Sequence, residues 1–123
     1  MAEYKLGEIE TRFAELIWAN EPISSGTLVK LCEQELCWKK STTYTILRRL
    51  CDRGIFQNKE GTVTSLISRQ EFDALQSERF VEETFSGSLP RFLAAFSTRK
   101  KLTQQEIEEI QALIGQMKEG QDG

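Results

Sequence analysis

Residues 39–54 read KKSTTYTILRRLCDRG, and they carry the most regular pattern of the 123-residue chain. Side chains that suit a protein interior recur there at helical spacing, at Thr43, Ile46, Leu47, Leu50 and Cys51. This spacing predicts a helix that opens at Lys40 or Ser41 and ends before Gly54, with one buried face. The other face is polar and holds Ser41, Thr42, Tyr44, Thr45, Arg48, Arg49 and Asp52.

Two amphipathic helices are expected before this segment. Residues 8–19 and 25–36 each place apolar side chains three or four positions apart. Pro22 separates them, because proline cannot continue a helix and biases the preceding residue towards extended geometry. Ser24 or Ser25 is expected to cap the second helix.

After Gly54 the apolar period shortens to about two residues, which is typical of strands. Residues 55–58 and 62–67 form the two runs, with a turn at Lys59–Gly61 between them. Three helices closed by a two-stranded hairpin make a winged helix-turn-helix. In that fold the third helix enters the major groove of DNA.

The last part of the chain is predicted to be helical. A capping box at 68–71 opens a helix that runs to about Phe85, and a short helix covers 88–96. Residues 97–101 are polar and basic, so we expect a connector there. A second capping box at 103–106 opens the last helix.

These elements predict a mainly α fold with a small β-hairpin, divided into two parts. Residues 1–68 form a winged-helix DNA-binding domain, and residues 69–123 form a helical dimerisation region. The apolar helix faces of the second part are thin for an independent core, so burial against a second copy is expected to stabilise them. The alternative is that these helices fold back onto their own winged helix.

The basic residues are concentrated in one segment. The whole chain has a net charge of −3, but residues 38–69 hold seven Lys and Arg against two acids, a net charge of +5. Such a segment in an acidic protein suggests a local surface for a polyanion. The alternative is a solvated basic helix face without a partner.

The composition excludes several classes of catalytic and metal site. The chain has no His, which removes Ser-His-Asp and Cys-His pairs and mixed Cys/His zinc sites. The chain has three cysteines, Cys32, Cys37 and Cys51, and no two of them form a C-x-x-C motif. An odd number without this spacing predicts neither a disulfide framework nor a four-thiolate zinc site. We interpret the cysteines as small hydrophobic side chains in a reducing compartment, the alternative being a redox- or metal-sensing thiol pair. The expected protein is not an enzyme and needs no cofactor or metal.

No run of about 18 apolar residues occurs, and Met1–Lys5 lacks the apolar core of a signal peptide. We therefore expect a cytoplasmic protein without membrane insertion.

The candidate DNA-binding residues fall into groups by position. Near the N-terminus of the third helix, where base edges are approached, lie Thr42, Tyr44 and Thr45. The helix dipole and the free backbone amides at the N-terminus of this helix favour binding of a phosphate. The residues at that position are Lys39, Lys40 and Ser41. Contacts with the flanking phosphate backbone are expected from Arg49, Arg53 and, in the hairpin, Lys59. Arg48 suits either a base or a phosphate.

Each of these residues also has an interpretation without DNA. The three arginines can pair with nearby acids, such as Asp52 or those of the first helix. Tyr44 can pack on the domain, and the two threonines can be ordinary residues of a helix surface.

The chain also resembles a known family. The likeness rests on Leu6–Glu10, Leu16–Trp18, Thr42–Leu50, Arg53–Ile55, Phe85–Ser88, Leu93, Phe96, Leu102–Thr103 and Glu106–Ile110. In this order and spacing they resemble the penicillinase-repressor (BlaI/MecI/CopY-like) family of bacterial transcription regulators. The Phe-x-Gly-Ser piece and the final Leu-Thr-x-x-Glu-Ile-Glu-Glu are fairly specific together.

The resemblance implies a homodimeric transcriptional repressor on a palindromic DNA operator. In such a protein the first part of the recognition helix reads bases, which here corresponds to Ser41, Thr42, Tyr44 and Thr45. The C-terminal helices form the dimer, and the apolar positions here are Phe80, Phe85, Leu89, Phe92, Leu93, Phe96, Ile107, Ile110 and Ile114.

The resemblance also implies a form of control. In β-lactam-responsive members, a membrane sensor protease ends repression by cutting the dimerisation region before a Phe. The matching bond is Ala95–Phe96, although those members carry Asn at the first position. Copper-responsive members end in a cysteine-rich motif, and this chain has no Cys after Cys51. The implied partners are operator DNA, a second copy and, where control is proteolytic, a membrane sensor protease.

A different class of function fits the same elements. A winged helix can serve as a protein-interaction adaptor that does not bind DNA, with the acidic outer helices meeting a basic partner.

Overall fold

The structure is a computed structural model that describes residues 6–122, with side chains up to residue 120. Met1–Lys5, on which the expectation about export depends, lies outside the described residues. The elements in chain order are α1 (Glu8–Asn20), β1 (Ile23–Ser24), α2 (Ser25–Leu36), α3 (Lys40–Asp52), β2 (Phe56–Lys59), β3 (Thr62–Ser65), α4 (Arg69–Phe85), α5 (Leu89–Arg99) and α6 (Gln104–Asp122).

The chain divides into two compact units, Met1–Arg79 and Phe80–Gly123. The division falls inside α4, so the first turns of that helix belong to the first unit. Phe72, in the first turn of α4, is 5 % exposed and packs in the core of the first unit.

The first unit is built around the inward face of α3. Thr43, Leu47 and Leu50 are buried, while Ile46 and Cys51 are partly buried against the same core. This is the stripe that the helical spacing predicts, and it is confirmed. The partners of the stripe come from α1, α2 and the hairpin: Phe13, Ile17, Leu28, Cys32, Ile55, Phe56 and Val63.

The hairpin is confirmed as a wing, but its sheet has a third strand. β3 lies between β2 and β1 in an antiparallel sheet of order β1-β3-β2. The third strand is only Ile23–Ser24, paired with Val63 and Thr62. Two residues carry no alternation pattern of their own, which is why the sequence does not predict this strand.

Trp18 joins the wing and α4 to the first helix. Its indole lies 5.4 Å from the ring of Phe56 and 5.3 Å from the ring of Phe72, measured between centroids. Its Nε1–H donates to the carbonyl oxygen of Ile67 at 3.0 Å. The buried polar atom is therefore satisfied, and the aromatic packing fixes where the wing leaves the core.

The second unit is helical, and one expectation about it was wrong. Helix α5 runs to Arg99, so Ser97–Arg99 are helical rather than part of a connector. The Ser97 and Thr98 hydroxyls donate to the carbonyl oxygens of Ala94 and Ala95 at 2.9 and 2.7 Å. These bonds turn polar side chains back onto the helix, so a polar composition does not end it here.

Both predicted capping boxes begin helices. The Glu71 N–H donates to the Ser68 hydroxyl at 3.0 Å at the start of α4. At the start of α6 the pair is reciprocal, because Thr103 N–H donates to Glu106 Oε1 at 2.9 Å and Glu106 N–H donates to Thr103 Oγ1 at 3.0 Å. The order of the elements, a winged helix followed by three helices, is the predicted one.

Candidate nucleic-acid interface

The polar face of α3 is exposed along its length. Apart from Tyr44, every predicted contact residue of this helix from Lys40 to Arg49 is exposed, as are the helix-capping position Lys39 and, in the wing, Lys59. The Thr45 hydroxyl donates to the Ser41 carbonyl at 2.9 Å, which leaves its oxygen able to accept a further bond. This face is a helix surface of short polar side chains and cations, backed by the packed core.

Five cations of this surface have no ion-pair partner among the described residues. They are Lys39, Lys40, Arg48, Arg49 and Lys59. We call these five, with Ser41, Thr42 and Thr45, the α3 surface. Its positive charge is not neutralised by carboxylates of the described part of the chain, which is the arrangement that attracts a polyanion.

Two other basic residues of the +5 segment are paired. Arg53 Nη1 lies 3.3 Å from Glu10 Oε2, with side-chain exposures of 29 % and 18 %. Arg69 pairs with Glu15 at 3.3 Å and with Asp73 at 3.8 Å. The alternative weighed from sequence, a pairing with the first helix, therefore describes Arg53, whereas Arg48 and Arg49 form no such pair.

The N-terminus of α3 has no side-chain cap, which is also true of α1, but α1 carries Glu8 and Glu10 in its first turn. Lys39 is the N-cap of α3 and makes no side-chain cap bond, and the first turn of α3 holds no acid. In contrast, side-chain hydroxyls accept from first-turn amides at the starts of α2, α4, α5 and α6. The free amides and the dipole of α3, beside Lys39 and Lys40 and with no acid in the first turn, favour an anion there.

Tyr44 is less exposed than the other predicted contact residues of α3. Its side chain is half-buried, and its hydroxyl donates to Ser25 Oγ at 3.2 Å. An open cleft of about 200 Å³ lies beside it, between α3 and β2, and is lined by Tyr44, Leu47, Arg48, Cys51 and Asn58. Asn58 was not among the residues predicted from the sequence, because nothing local to the hairpin indicates that it lies across from Arg48.

The sequence of this chain matches a family of known proteins. The sequence profile of the penicillinase repressor family matches residues 6–116. The chain belongs to the penicillinase repressor family. The resemblance inferred from the quoted motifs is thereby confirmed, and the match spans both units.

Individual members of the penicillinase repressor family are distant. The chain is 24% identical to the penicillinase repressor of Bacillus licheniformis over 118 residues, covering 93% of this chain and 92% of that protein. It is 21% identical to the methicillin resistance regulatory protein MecI of Staphylococcus aureus strain N315 over 115 residues, covering 90% and 94%. The family consists of transcriptional repressors rather than enzymes. No helix in the described part of the chain is long and apolar enough to cross a membrane.

Within the second unit, every predicted interface residue is exposed or only partly buried, and we call these residues together the apolar face of the second unit. No described residue of α5 or α6 is buried. Phe80, Leu89, Phe96 and Ile114 are 52, 64, 41 and 56 % exposed, and Leu93 is 36 % exposed. Phe85, Phe92, Ile107 and Ile110 are partly buried.

Four of these residues, all phenylalanines, form a cluster of ring contacts. Phe85 and Phe92 lie 5.7 Å apart in an edge-to-face arrangement, and Phe92 stacks on Phe96 at 6.0 Å. The predicted Ala95–Phe96 bond lies inside α5, and both residues are exposed. A patch of this kind on one chain is typical of an interaction surface.

The three thiols have different environments. Cys37 is exposed, Cys51 is partly buried and Cys32 is buried. Burial raises the pKa of Cys32, and burial together with the nearby Asp52 charge raises the pKa of Cys51. In the described part of the chain no group of three or more His, Cys, Asp or Glu side chains is placed to hold a metal ion.

Proposed function

We propose that this protein is a homodimeric repressor that binds a palindromic DNA operator through the α3 surface. The observation that carries this proposal is the unneutralised cationic face of α3 beside an uncapped helix N-terminus. Membership of a family of transcriptional repressors supports it.

Each group on the α3 surface has a separate task. Ser41, Thr42 and Thr45 reach base edges, because they are short, exposed and close to the N-terminus that leads into the groove. Lys39 and Lys40 hold a phosphate at the free amides, and Arg49 and Lys59 hold the flanking backbone. Arg48, which lines the cleft beside β2, contacts either a base or the backbone.

Tyr44 and Arg53 support this surface from behind. Tyr44 bonds to Ser25 at the start of α2, and Arg53 bonds to Glu10 in α1. We propose that their first role is to hold α3 at a fixed angle on the domain, so that the exposed side chains meet the groove.

We propose that the apolar face of the second unit is covered by a second copy. Aromatic and aliphatic side chains that are about half exposed on one chain would be removed from water in a dimer, at about 25 cal/mol for each Å² buried. A two-fold dimer requires a palindromic operator whose half-sites lie about 34 Å apart or a multiple of that distance.

The Ala95–Phe96 bond remains a prediction. It lies in a regular helix, so a protease would need α5 to open locally before it could bind an extended segment. Incubating the repressor with membranes that contain a sensor protease, and sequencing any fragment, tests it. A new N-terminus at Phe96 is the expected result, and an intact chain or a cut elsewhere would remove this form of control.

The experiment for DNA binding uses a labelled duplex from upstream of the protein's own gene, followed by fluorescence anisotropy. The variant Thr42→Ala/Thr45→Ala/Arg49→Ala should lose specific binding, whereas Lys118→Ala, which removes a cation from α6, should bind as the parent does. Unchanged binding by the triple variant would overturn the assignment of the α3 surface. Circular dichroism checks that each variant is folded.

A further inference from the structure

The segment between α1 and α2 holds both ends of β3. At one end, the Glu21 carboxylate accepts two bonds at 2.8 Å through Oε1, from the backbone N–H and the hydroxyl of Ser65. Its Oε2 lies 2.8 Å from the same hydroxyl. Both residues are partly buried.

Glu21 forms these bonds where the sheet itself cannot continue. β1 pairs Ile23 with Val63, so the same register extended by two residues would set Glu21 opposite Ser65. The strand begins only at Ile23, after Pro22, so the backbone of Glu21 is not part of β1. The Glu21 side chain therefore replaces a missing strand by accepting the amide of Ser65.

The other end of β3 is held by the start of α2. Ser24 pairs with Thr62, and the Ser25 N–H donates to the Gly61 carbonyl at 2.8 Å. Ser25 Oγ in turn accepts from the Tyr44 hydroxyl of α3 at 3.2 Å. The wing tip, α2 and the recognition helix thus meet at Ser25.

We propose that Glu21 is a positioning residue for operator binding, and this rests on the proposed DNA-binding function. Glu21 holds β3 in place, and Lys59 of β2 is paired with Thr62 of β3. The third strand of the sheet is only Ile23–Ser24, and a two-stranded hairpin is marginally stable on its own, so the position of the wing depends on its contacts with the rest of the domain. The hydrogen bonds to Glu21 fix the position of the wing, and with it the distance of Lys59 from α3. At that distance Lys59 contacts the phosphate backbone of the DNA.

The negative charge of Glu21 and its hydrogen bonds predict opposite effects of a substitution on DNA affinity. A carboxylate near a polyanion repels it, so removing the charge should strengthen DNA binding. Positioning through hydrogen bonds predicts that removing the acceptor weakens binding. The two roles are separated by Glu21→Ala and Glu21→Gln, because both remove the charge while Gln keeps an acceptor oxygen for Ser65.

The test measures the affinity of the full-length protein for the upstream duplex over a range of salt concentrations. Glu21→Ala should bind about fivefold more weakly than Glu21→Gln, which corresponds to about one net hydrogen bond. Thr64→Val is a matched control in the wing, since it removes the Gln57–Thr64 side-chain bond of 3.0 Å without touching Glu21, and it should bind as the parent does. Equal affinities of Glu21→Ala and Glu21→Gln would overturn the proposal.

A double-mutant cycle with Lys59 distinguishes positioning from general loss of stability. Lys59→Ala should lower the salt dependence of log affinity by about 0.9 in the parent and have little effect in the Glu21→Ala background. The same loss from Lys59→Ala in both backgrounds would show that Glu21 does not act through the wing, and would overturn the proposal.

Amide hydrogen exchange separates this proposal from the proposed function. Exchange at Ser65 and across residues 56–65 should be faster in Glu21→Ala than in Glu21→Gln, while α6 is unchanged. If the parent protein does not bind DNA, the proposed function fails and the anchoring of the wing is judged on exchange alone. Equal exchange in the two variants would overturn the anchoring as well.

Discussion

Arg53 Nη1 lies 3.3 Å from Glu10 Oε2, so the C-cap residue of α3 is tied to the first turn of α1. This ion pair is partly buried. Arg49 lies one turn earlier, is exposed and has no ion-pair partner among the described residues. Two arginines four positions apart thus have different environments, one paired and partly buried and the other exposed.

The first prediction follows from this difference. Arg53→Ala should lower the free energy of unfolding by about 1 kcal/mol, since it removes a partly buried charge-assisted bond and leaves Glu10 without this partner. Arg49→Ala should leave the unfolding energy nearly unchanged and weaken DNA binding. Urea unfolding of both variants and anisotropy with the upstream duplex give the two values. The reverse outcome, with Arg49→Ala destabilising the fold, would contradict the roles of both arginines.

The second prediction separates base contacts from phosphate contacts. Lys40→Ala should weaken binding to every duplex by a similar factor and reduce the salt dependence of log affinity by about 0.9. Thr42→Ala should instead reduce the preference for the upstream duplex over a scrambled one, with the salt dependence nearly unchanged. A Thr42→Ala variant that weakens both duplexes equally would place Thr42 outside base recognition.

The third prediction concerns the apolar face of the second unit. Ile114→Asp places a charge where the side chain is 56 % exposed on one chain and removed from water in the proposed dimer. The dimer dissociation constant should rise by about 100-fold or more, since an unpaired buried charge costs about 3 kcal/mol. Analytical ultracentrifugation measures this, with Gln116→Asp as a control, since Gln116 is an exposed residue of the same helix that helical spacing places away from Ile107, Ile110 and Ile114. A parent protein that sediments as a monomer at all concentrations would contradict the proposed dimer.

The fourth prediction concerns the order of thiol modification. Cys37 should react with N-ethylmaleimide first, Cys51 later and Cys32 last, because reaction needs an accessible thiolate. The raised pKa of Cys51 means that its thiolate fraction at neutral pH is small and grows as pH increases. Its modification rate should therefore rise steeply between about pH 7 and pH 9, as measured by mass spectrometry of peptides. Rapid modification of Cys32 in the folded protein would contradict its burial in the core of the first unit.

The fifth prediction concerns acid and the last helix. Hydrogen bonds from Thr103, first its backbone N–H and then its hydroxyl, lower the pKa of Glu106. A lowered pKa in the folded state stabilises the cap above the unfolded carboxyl pKa, and this contribution is lost as pH falls through the lowered value. Glu106→Gln should therefore lower the melting temperature at about pH 7 and have a smaller effect at about pH 3. Glu109→Gln, an exposed change in the same helix, serves as the comparison, and an effect of Glu106→Gln that does not depend on pH would contradict the capping role.

Local periodicity was sufficient to predict α3 and its buried stripe. A packed helix repeats its interior positions every three or four residues, and Thr43, Leu47 and Leu50 follow that rule. The capping boxes were also visible, because both partners lie within four residues of each other.

Contacts between distant residues could not be predicted in this way. The β1 strand exists because Ile23 pairs with Val63, and the tie from Glu21 to Ser65 joins residues 44 positions apart. Neither residue of such a pair carries a local signal of its partner. For the same reason the sequence left two interpretations of Arg53 open, a contact to the DNA backbone and an ion pair with a nearby acid. The structure shows the ion pair, with Glu10.

The end of α5 shows a different limit. Ser97–Arg99 have the composition of a connector, yet the Ser97 and Thr98 hydroxyls bond to carbonyls three residues earlier and the helix continues. Composition describes what a side chain prefers on average, whereas the backbone it bonds to decides the outcome at one position.

A titration of the nitrogen-15-labelled protein with the upstream duplex, followed by amide chemical shifts, tests the DNA-binding surface most directly. Shifts should concentrate at residues 39–49 and at Lys59, should be weaker with a scrambled duplex and should diminish as salt is raised. Shifts confined to α4, α5 and α6, or no shifts at low salt with a folded protein, would contradict DNA binding through the α3 surface.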